Sequence, residues 1–267
     1  MSYIVLDTLD LAIASTLVIL AAVLSVILRL GLARSLVVAA IRMVIQLTLV
    51  GLILKVLFET VSPWLTLAVA VVMLGFAGYE VLARQKRRFT GAWTYGIGGA
   101  AMIVAGTVVT GLALSTQLQA DPWYDPRYAI PLLGMILGNA MNGVSIGMDR
   151  LTASVARERA AIEAQLALGH ERRAAFRPFV REAVRAGLIN VVNAMSASGL
   201  VFLPGMMTGQ ILAGVEPTDA VRYQILIMFL LTGANCIGVL FAVHAVQTRL
   251  SDGRHRLRLD RLVTVGN

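Results

Sequence analysis

Amides, hydroxyls and one carboxylate recur at helical spacing inside apolar stretches of this chain. Asn139, Asn142, Ser145 and Asp149 follow one another at intervals of three, three and four; Asn190, Asn193 and Ser196 do the same; Thr232 and Asn235 form a smaller patch. Polar groups in an apolar span are costly unless they face a bundle interior or water. Two uses are open: lining a pathway for polar cargo, if the two rows face each other, or holding helices together through interhelical hydrogen bonds worth about 0.6 kcal/mol each. A third cluster is the run from Leu203 through Pro204, Gly205, Met206, Met207, Thr208 and Gly209 to Gln210. Proline removes a backbone donor and glycine loosens the helix, so carbonyls there are freed to face a cavity. Met206 and Met207 carry thioethers, which suit soft metals, although packing or gating is the other use for such a pair.

A different chemistry is offered by residues 150–185, a basic island in an otherwise apolar chain. Eight arginines (150, 157, 159, 172, 173, 177, 181 and 185) alternate with Glu158, Glu163, Glu171 and Glu182. Leu151, Val155, Ile162 and Leu166 share one helix face, and Phe176, Phe179, Val180 and Val184 begin a second stripe. Gly169 supplies the left-handed cap that stops the first helix. The spacing predicts two short amphipathic helices joined by an elbow at Gly169 and His170. A solvated loop needs no apolar stripes, so a docking surface for a soluble partner is the sharper reading.

Enzyme chemistry is missing. His170, His244 and His255 have no metal-ligand spacing. No GxxxxGK[ST], nucleophile elbow or HExxH occurs, so no nucleotide or cofactor site is expected in this chain. Cys236 is the sole cysteine and excludes an internal disulfide.

These residues must be positioned by membrane helices. The sequence is 58% hydrophobic and 14% charged, with mean hydropathy +0.78, the profile of an integral membrane protein. Spans of about 20 residues are needed. Seven are expected, near 9–28, 35–57, 64–82, 92–118, 128–148, 186–212 and 221–246. The second contains Arg42 and Gln46, close to a span end where snorkelling is cheap; the third ends beside Glu80, which should pair with a nearby arginine. The start, Met-Ser-Tyr-Ile-Val-Leu-Asp, lacks the basic region of a cleaved leader, so the first span should be retained. With 150–185 in the cytoplasm and alternating spans, 19 of the 23 Lys and Arg residues fall on the cytoplasmic side. The N-terminus then lies outside and the C-terminus inside. The formal charge of +8 therefore marks membrane orientation and implies no nucleic-acid partner.

Several runs in series resemble the FetB-type permease family. They are Pro131-Leu132-Leu133-Gly134-Met135 with Gly138-Asn139-Ala140-Met141, Leu166-Ala167-Leu168-Gly169, the specific run from Leu203 to Gly214, and Tyr223-Gln224-Ile225, with Arg42, Gln46, Leu47 and Gly51 also matching. The resemblance implies the membrane subunit of an ATP-binding-cassette exporter whose separate ATPase binds ATP and Mg, and which is associated with iron efflux; plant relatives are linked to aluminium tolerance. It also implies that Glu163-Ala164 followed by Gly169 is similar to an EAA-type coupling loop, with Glu163, Ala164, Leu166, Gly169, His170 and Arg172 meeting the ATPase. One departure is Asn190, where the family usually has proline; asparagine should let the helix continue.

The expectation is thus an all-α integral membrane protein of the inner (plasma) membrane, one polytopic domain over 1–267. It has about seven transmembrane helices, a cytoplasmic amphipathic coupling segment (150–185) between the fifth and sixth, and a basic cytoplasmic tail (247–267). It should act as a permease homodimer, in contact with lipid, beside two ATPase copies. Its pathway would draw on Asn139, Asn142, Ser145, Asn193, Ser196, Pro204, Gly205, Met206, Met207 and Gln210, with Met206 and Met207 the candidate metal ligands. The alternative is a self-contained secondary transporter or channel for a small cation.

Overall fold

Apolar residues dominate every long segment outside the basic island, and the backbone groups of such segments can be satisfied only within helices once water is excluded. The computed structural model, which describes residues 7–118, 121–254 and 256–264, is accordingly almost wholly helical. The chain start before Asp7 and His255 lie outside the described residues.

The helices form two units. The first, within residues 7–61 and 212–214, holds α1 (Thr8–Ile27) and α2 (Ala33–Thr60). Ser25 builds the turn between them: its carbonyl accepts from the Leu30 N–H at 2.9 Å and its hydroxyl from the Leu32 N–H at 3.0 Å. Arg42 and Gln46 lie one turn apart on α2 and, with Val38, Ile41 and Ile45, line a shallow depression of about 300 Å³.

The second unit, residues 62–211 and 215–264, contains the remaining elements. These are α3 (Pro63–Ala83), β1 (Arg87–Phe89), α4 (Trp93–Leu112) ending in a wide π-type turn (Ala113–Leu118), α5 (Pro126–Arg157), α6 (Arg159–Ala167), α7 (Arg172–Ala197), α8 (Gly205–Leu212), α9 (Pro217–Arg249) and β2 (Leu262–Thr264). Helix α5 is the hub, packed against α3, α4, α7 and α9. Its start is fixed by Pro126 in the first turn and by Asp125, whose carboxylate accepts from the Arg127 N–H at 2.9 Å. Small residues let the helices close in. A Cβ on Gly143 would stand 2.7 Å from the Gly187 carbonyl oxygen, and one on Gly187 would stand 2.8 Å from that of Gly143, so α5 and α7 cross nearly backbone to backbone.

Among the described residues, six helices are long and apolar enough to cross a membrane, and they match the expected spans apart from the sixth. Residues 186–212 do not form one helix. Helix α7 ends at Ala197, Gly199 takes φ +85°, Ser198 bridges to Phe202, and α8 begins only after Pro204. The break thus starts at Ser198, six residues before Pro204. Asn190, in contrast, sits within unbroken helix, as expected of a residue that keeps its backbone N–H.

The basic island is also corrected. Its first half is not a separate short helix: α5 runs on to Arg157, and a single non-helical residue, Glu158, separates it from α6. Nothing between 149 and 157 breaks a helix, and the hydroxyls of Thr152 and Ser154 turn back onto the carbonyls of Met148 and Arg150. Its second half is the beginning of α7, which continues through Pro178 into the apolar stretch.

The tail folds back. Strand β2 pairs antiparallel with β1, Arg87 opposite Thr264, and the Thr90 N–H donates to the Arg261 carbonyl at 2.9 Å. The Arg249 guanidinium lies 4.1 Å over the Trp93 ring, and Arg172 donates to the Ser251 hydroxyl at 3.4 Å. The end of α3, the beginnings of α4 and α7 and the end of α9 therefore gather at one end of this unit.

Candidate functional site

At that same end a polar cleft of about 560 Å³ lies along α5. It is lined by Asn142, Ser145, Ile146, Asp149, Arg150 and Ala153 from α5, Arg84 at the end of α3, and Asn190 from α7. Periodicity explains the lining: 142, 145, 149 and 153 recur on one helix face. Arg84 reaches in to donate to the Asn142 amide oxygen, and its guanidinium lies 3.9 Å from Glu80, the pairing expected for that glutamate. Arg150 donates through Nε to Glu182 at 2.9 Å, tying α5 to α7 at the edge of the cleft. Gln85 is buried behind it, with its amide N–H groups donating to the carbonyls of Val81 and Ser145. The Ser145 hydroxyl and Asp149 Oδ1 are buried with no hydrogen-bond partner among the described residues.

Only part of the expected pathway converges here. Asn142 and Ser145 do, joined by Asp149. Asn139 is exposed one turn away and donates to the Met135 carbonyl at 3.0 Å; Asn193 is exposed outside the cleft; Ser196 donates to the Val192 carbonyl at 3.0 Å. Thr232 bonds to the Met228 carbonyl and to Met195 Sδ at 3.2 Å, tying α9 to α7, which is the gluing role. Pro204, Gly205, Met206, Met207 and Gln210 belong to the break between α7 and α9, not to this cleft; Met206 packs on the apolar core. No group of three His, Cys, Asp or Glu side chains able to hold a metal occurs among the described residues.

Sequence reading missed Arg84, Arg150 and Gln85 as site residues. The two arginines belong to basic runs at span ends, and only packing shows that Arg84 reaches Asn142 and Arg150 reaches Glu182. Asn190 was noticed for its backbone consequence, whereas its side chain lines the cleft.

The elbow is a complete Schellman cap. Gly169 has φ +88°, its N–H donates to the Leu166 carbonyl at 3.1 Å, and the His170 N–H donates to the Gln165 carbonyl at 3.1 Å. Ile162 is buried and Leu166 packs against the core, so α6 is clamped to the bundle. Its other face is open: Glu163, Ala164 and His170 are exposed, and Leu168 is 79% exposed at the tip. Glu163 pairs with Arg159 at 2.8 Å. Arg172 differs from the other expected docking residues in turning towards Ser251.

Comparison with known proteins agrees with a membrane role. A model of the uncharacterised protein family UPF0014 matches residues 8–250. The chain is 39% identical over 220 residues to UPF0014 membrane protein slr1647 of Synechocystis, covering 80% of this chain and 82% of that protein. It is 31% identical over 256 residues to the Probable iron export permease protein FetB of Escherichia coli, covering 95% of each. It is 33% identical over 227 residues to Protein ALUMINUM SENSITIVE 3 of Arabidopsis thaliana, covering 85% of this chain and 81% of that one. No solved structure matches.

Proposed function

Because the chain belongs to the UPF0014 family of multi-pass membrane proteins, we propose that it is the permease of an ATP-binding-cassette exporter, working as a homodimer with a separate ATPase and carrying a metal cation, iron by likeness to its Escherichia coli relative. The observation that carries this reading is the elbow. An exposed leucine and charged side chains sit on a cap that is clamped to the core; the cap leads through Glu171 into α7, and back through α6 and the single residue Glu158 into α5. Those are two of the helices that line the polar cleft. A push on the elbow is therefore delivered to the cleft walls, which suits a soluble motor that opens and closes on nucleotide.

In this reading the island, the α3–α4 link and the C-terminal segment face the cytoplasm. The sixth crossing is broken, made by the apolar half of α7, the irregular link and α8 together. A span of this kind places irregular backbone inside the membrane, where it is tolerated when it lines a cavity.

Co-reconstitution with the ATPase tests the proposal. Gly169→Pro removes the N–H that closes the cap and cannot adopt positive φ, and Glu163→Arg reverses a charge on the open face. Both variants should insert normally yet uncouple ATP hydrolysis from transport. Normal coupling in both, or labelling of His170 from the extracytoplasmic side, would sink the reading. Transport by the permease alone would favour a self-contained cation transporter.

A further inference from the structure

We infer that the cleft between α3, α5 and α7 holds the cargo as a partly hydrated di- or trivalent cation, bound by oxygens of Asp149, Ser145 and Asn190 and not by the thioethers of Met206 and Met207. The word cargo rests on the permease reading above; the site itself rests on three features of the cleft.

The first is unmet hydrogen bonding. Ser145 is 5% exposed and its hydroxyl has no partner; Asp149 Oδ1, one turn further on the same face, has none either. Buried polar atoms in folded proteins are nearly always satisfied, so two orphans lining one cavity point to water or an ion between them. The second is charge. Each guanidinium lining the cleft has its own acid, Arg84 with Glu80 and Arg150 with Glu182. Asp149, the one carboxylate among the lining residues, forms no ion pair among the described residues, so its oxygens are not claimed by either guanidinium.

The third is ligand chemistry. One carboxylate, one hydroxyl and one amide oxygen are hard donors, suited to ions such as Mg²⁺, Mn²⁺ or iron and poorly to soft Cu(I). Three protein oxygens are too few to strip such an ion, which therefore keeps several waters. At about 30 Å³ per water, the cleft of about 560 Å³ accommodates the hydrated ion. Incomplete dehydration also keeps binding weak enough for release, which a transport site requires. Met206, in contrast, packs on the apolar core in the segment beyond α7.

The test uses the full permease in nanodiscs without ATPase, titrated with Mn²⁺ while free Mn²⁺ is followed by electron paramagnetic resonance. Wild type should show one saturable site per chain. Asp149→Asn should weaken it at least about tenfold, as expected on loss of the sole carboxylate ligand. Ser145→Ala, which removes a single oxygen, should weaken it several-fold, and the Met206→Leu, Met207→Leu double variant should bind as wild type. Thermal unfolding of each variant checks that it is folded, and Ser145→Ala serves should Asp149→Asn not be. Absence of a saturable site in wild type, undiminished binding by folded Asp149→Asn, or loss of binding in the double-methionine variant would overturn the inference. Because no ATPase is present, failed coupling leaves this result standing, and an absent site beside intact ATP-driven export would remove the site alone.

Discussion

Replacing Gly143 by alanine tests the packing on which the cleft depends. A Cβ at 143 would meet the Asn235 amide and stand 2.7 Å from the Gly187 carbonyl oxygen. Ordinary contact begins at 3.4 Å, so α5 and α7 must part by about 0.7 Å at their crossing unless the strain is taken up elsewhere. The Asn235 side chain can rotate aside, but the carbonyl belongs to a helix and cannot. Overpacking of this kind costs about 1–3 kcal/mol. Alanine also gains about 1 kcal/mol of helix propensity over glycine. The comparison is therefore made with Gly138→Ala on the same helix, where a Cβ meets nothing within 4 Å and the propensity gain is shared. Unfolding in mixed detergent micelles should rank Gly143→Ala below Gly138→Ala by about 1–3 kcal/mol. Gly187→Ala should be similarly destabilised, with the double variant losing less than the sum because one separation relieves both contacts. Equal stability of the 143 and 138 variants would refute the close crossing.

Other consequences are open to measurement. Asp252 and Asp260 are both held at about 2, Asp252 first by the Arg256 backbone N–H and Asp260 first by the Arg258 side chain. Carboxylates depressed in the folded state contribute fully above their ordinary value near 4 and lose that contribution as pH falls towards 2. Amide protection of residues 250–254 and 256–264, taken relative to intrinsic exchange at each pH, should therefore fall over that window and stay flat around neutrality; a loss of protection near pH 6 would contradict it. Asp252→Asn should free the tail at neutral pH, read as faster tryptic cleavage at Arg254 and Arg256. Thr232→Val should cost only about 0.6 kcal/mol in the same micelle titration and leave transport intact, because its bonds to Met195 and Met228 are structural. Glu182→Gln should loosen α5 from α7 and lower Mn²⁺ affinity, since Arg150 would then stand in the cleft without its acid.

Composition and periodicity determined much of this protein: a helical membrane chain, five spans before the island and one at the end, the buried stripe from Leu151 to Leu166, and the stop at Gly169. Each is a local property. Hydrocarbon forces apolar runs into helices, a period of 3.6 assigns faces, and only glycine accepts the cap conformation freely. Asn142, Ser145 and Asp149 could be placed on one face for the same reason. The sequence did not determine what stood opposite that face. Arg84 lies 58 positions before Asn142, and whether its side chain points into solvent or back along α5 depends on how closely α3 approaches. Nor did spacing reveal that Asn190 lines the cleft while Asn193 and Ser196 lie outside it, since that depends on how α7 lies against α5 at their crossing by Gly143 and Gly187. The tail reads in the sequence only as a basic run, and it pairs with Arg87–Phe89 because packing brings the end of α9 beside the α3–α4 link. Which polar groups meet is set by helix approach and rotation, sums of many small contacts across the bundle, and these are decided only when the whole bundle packs.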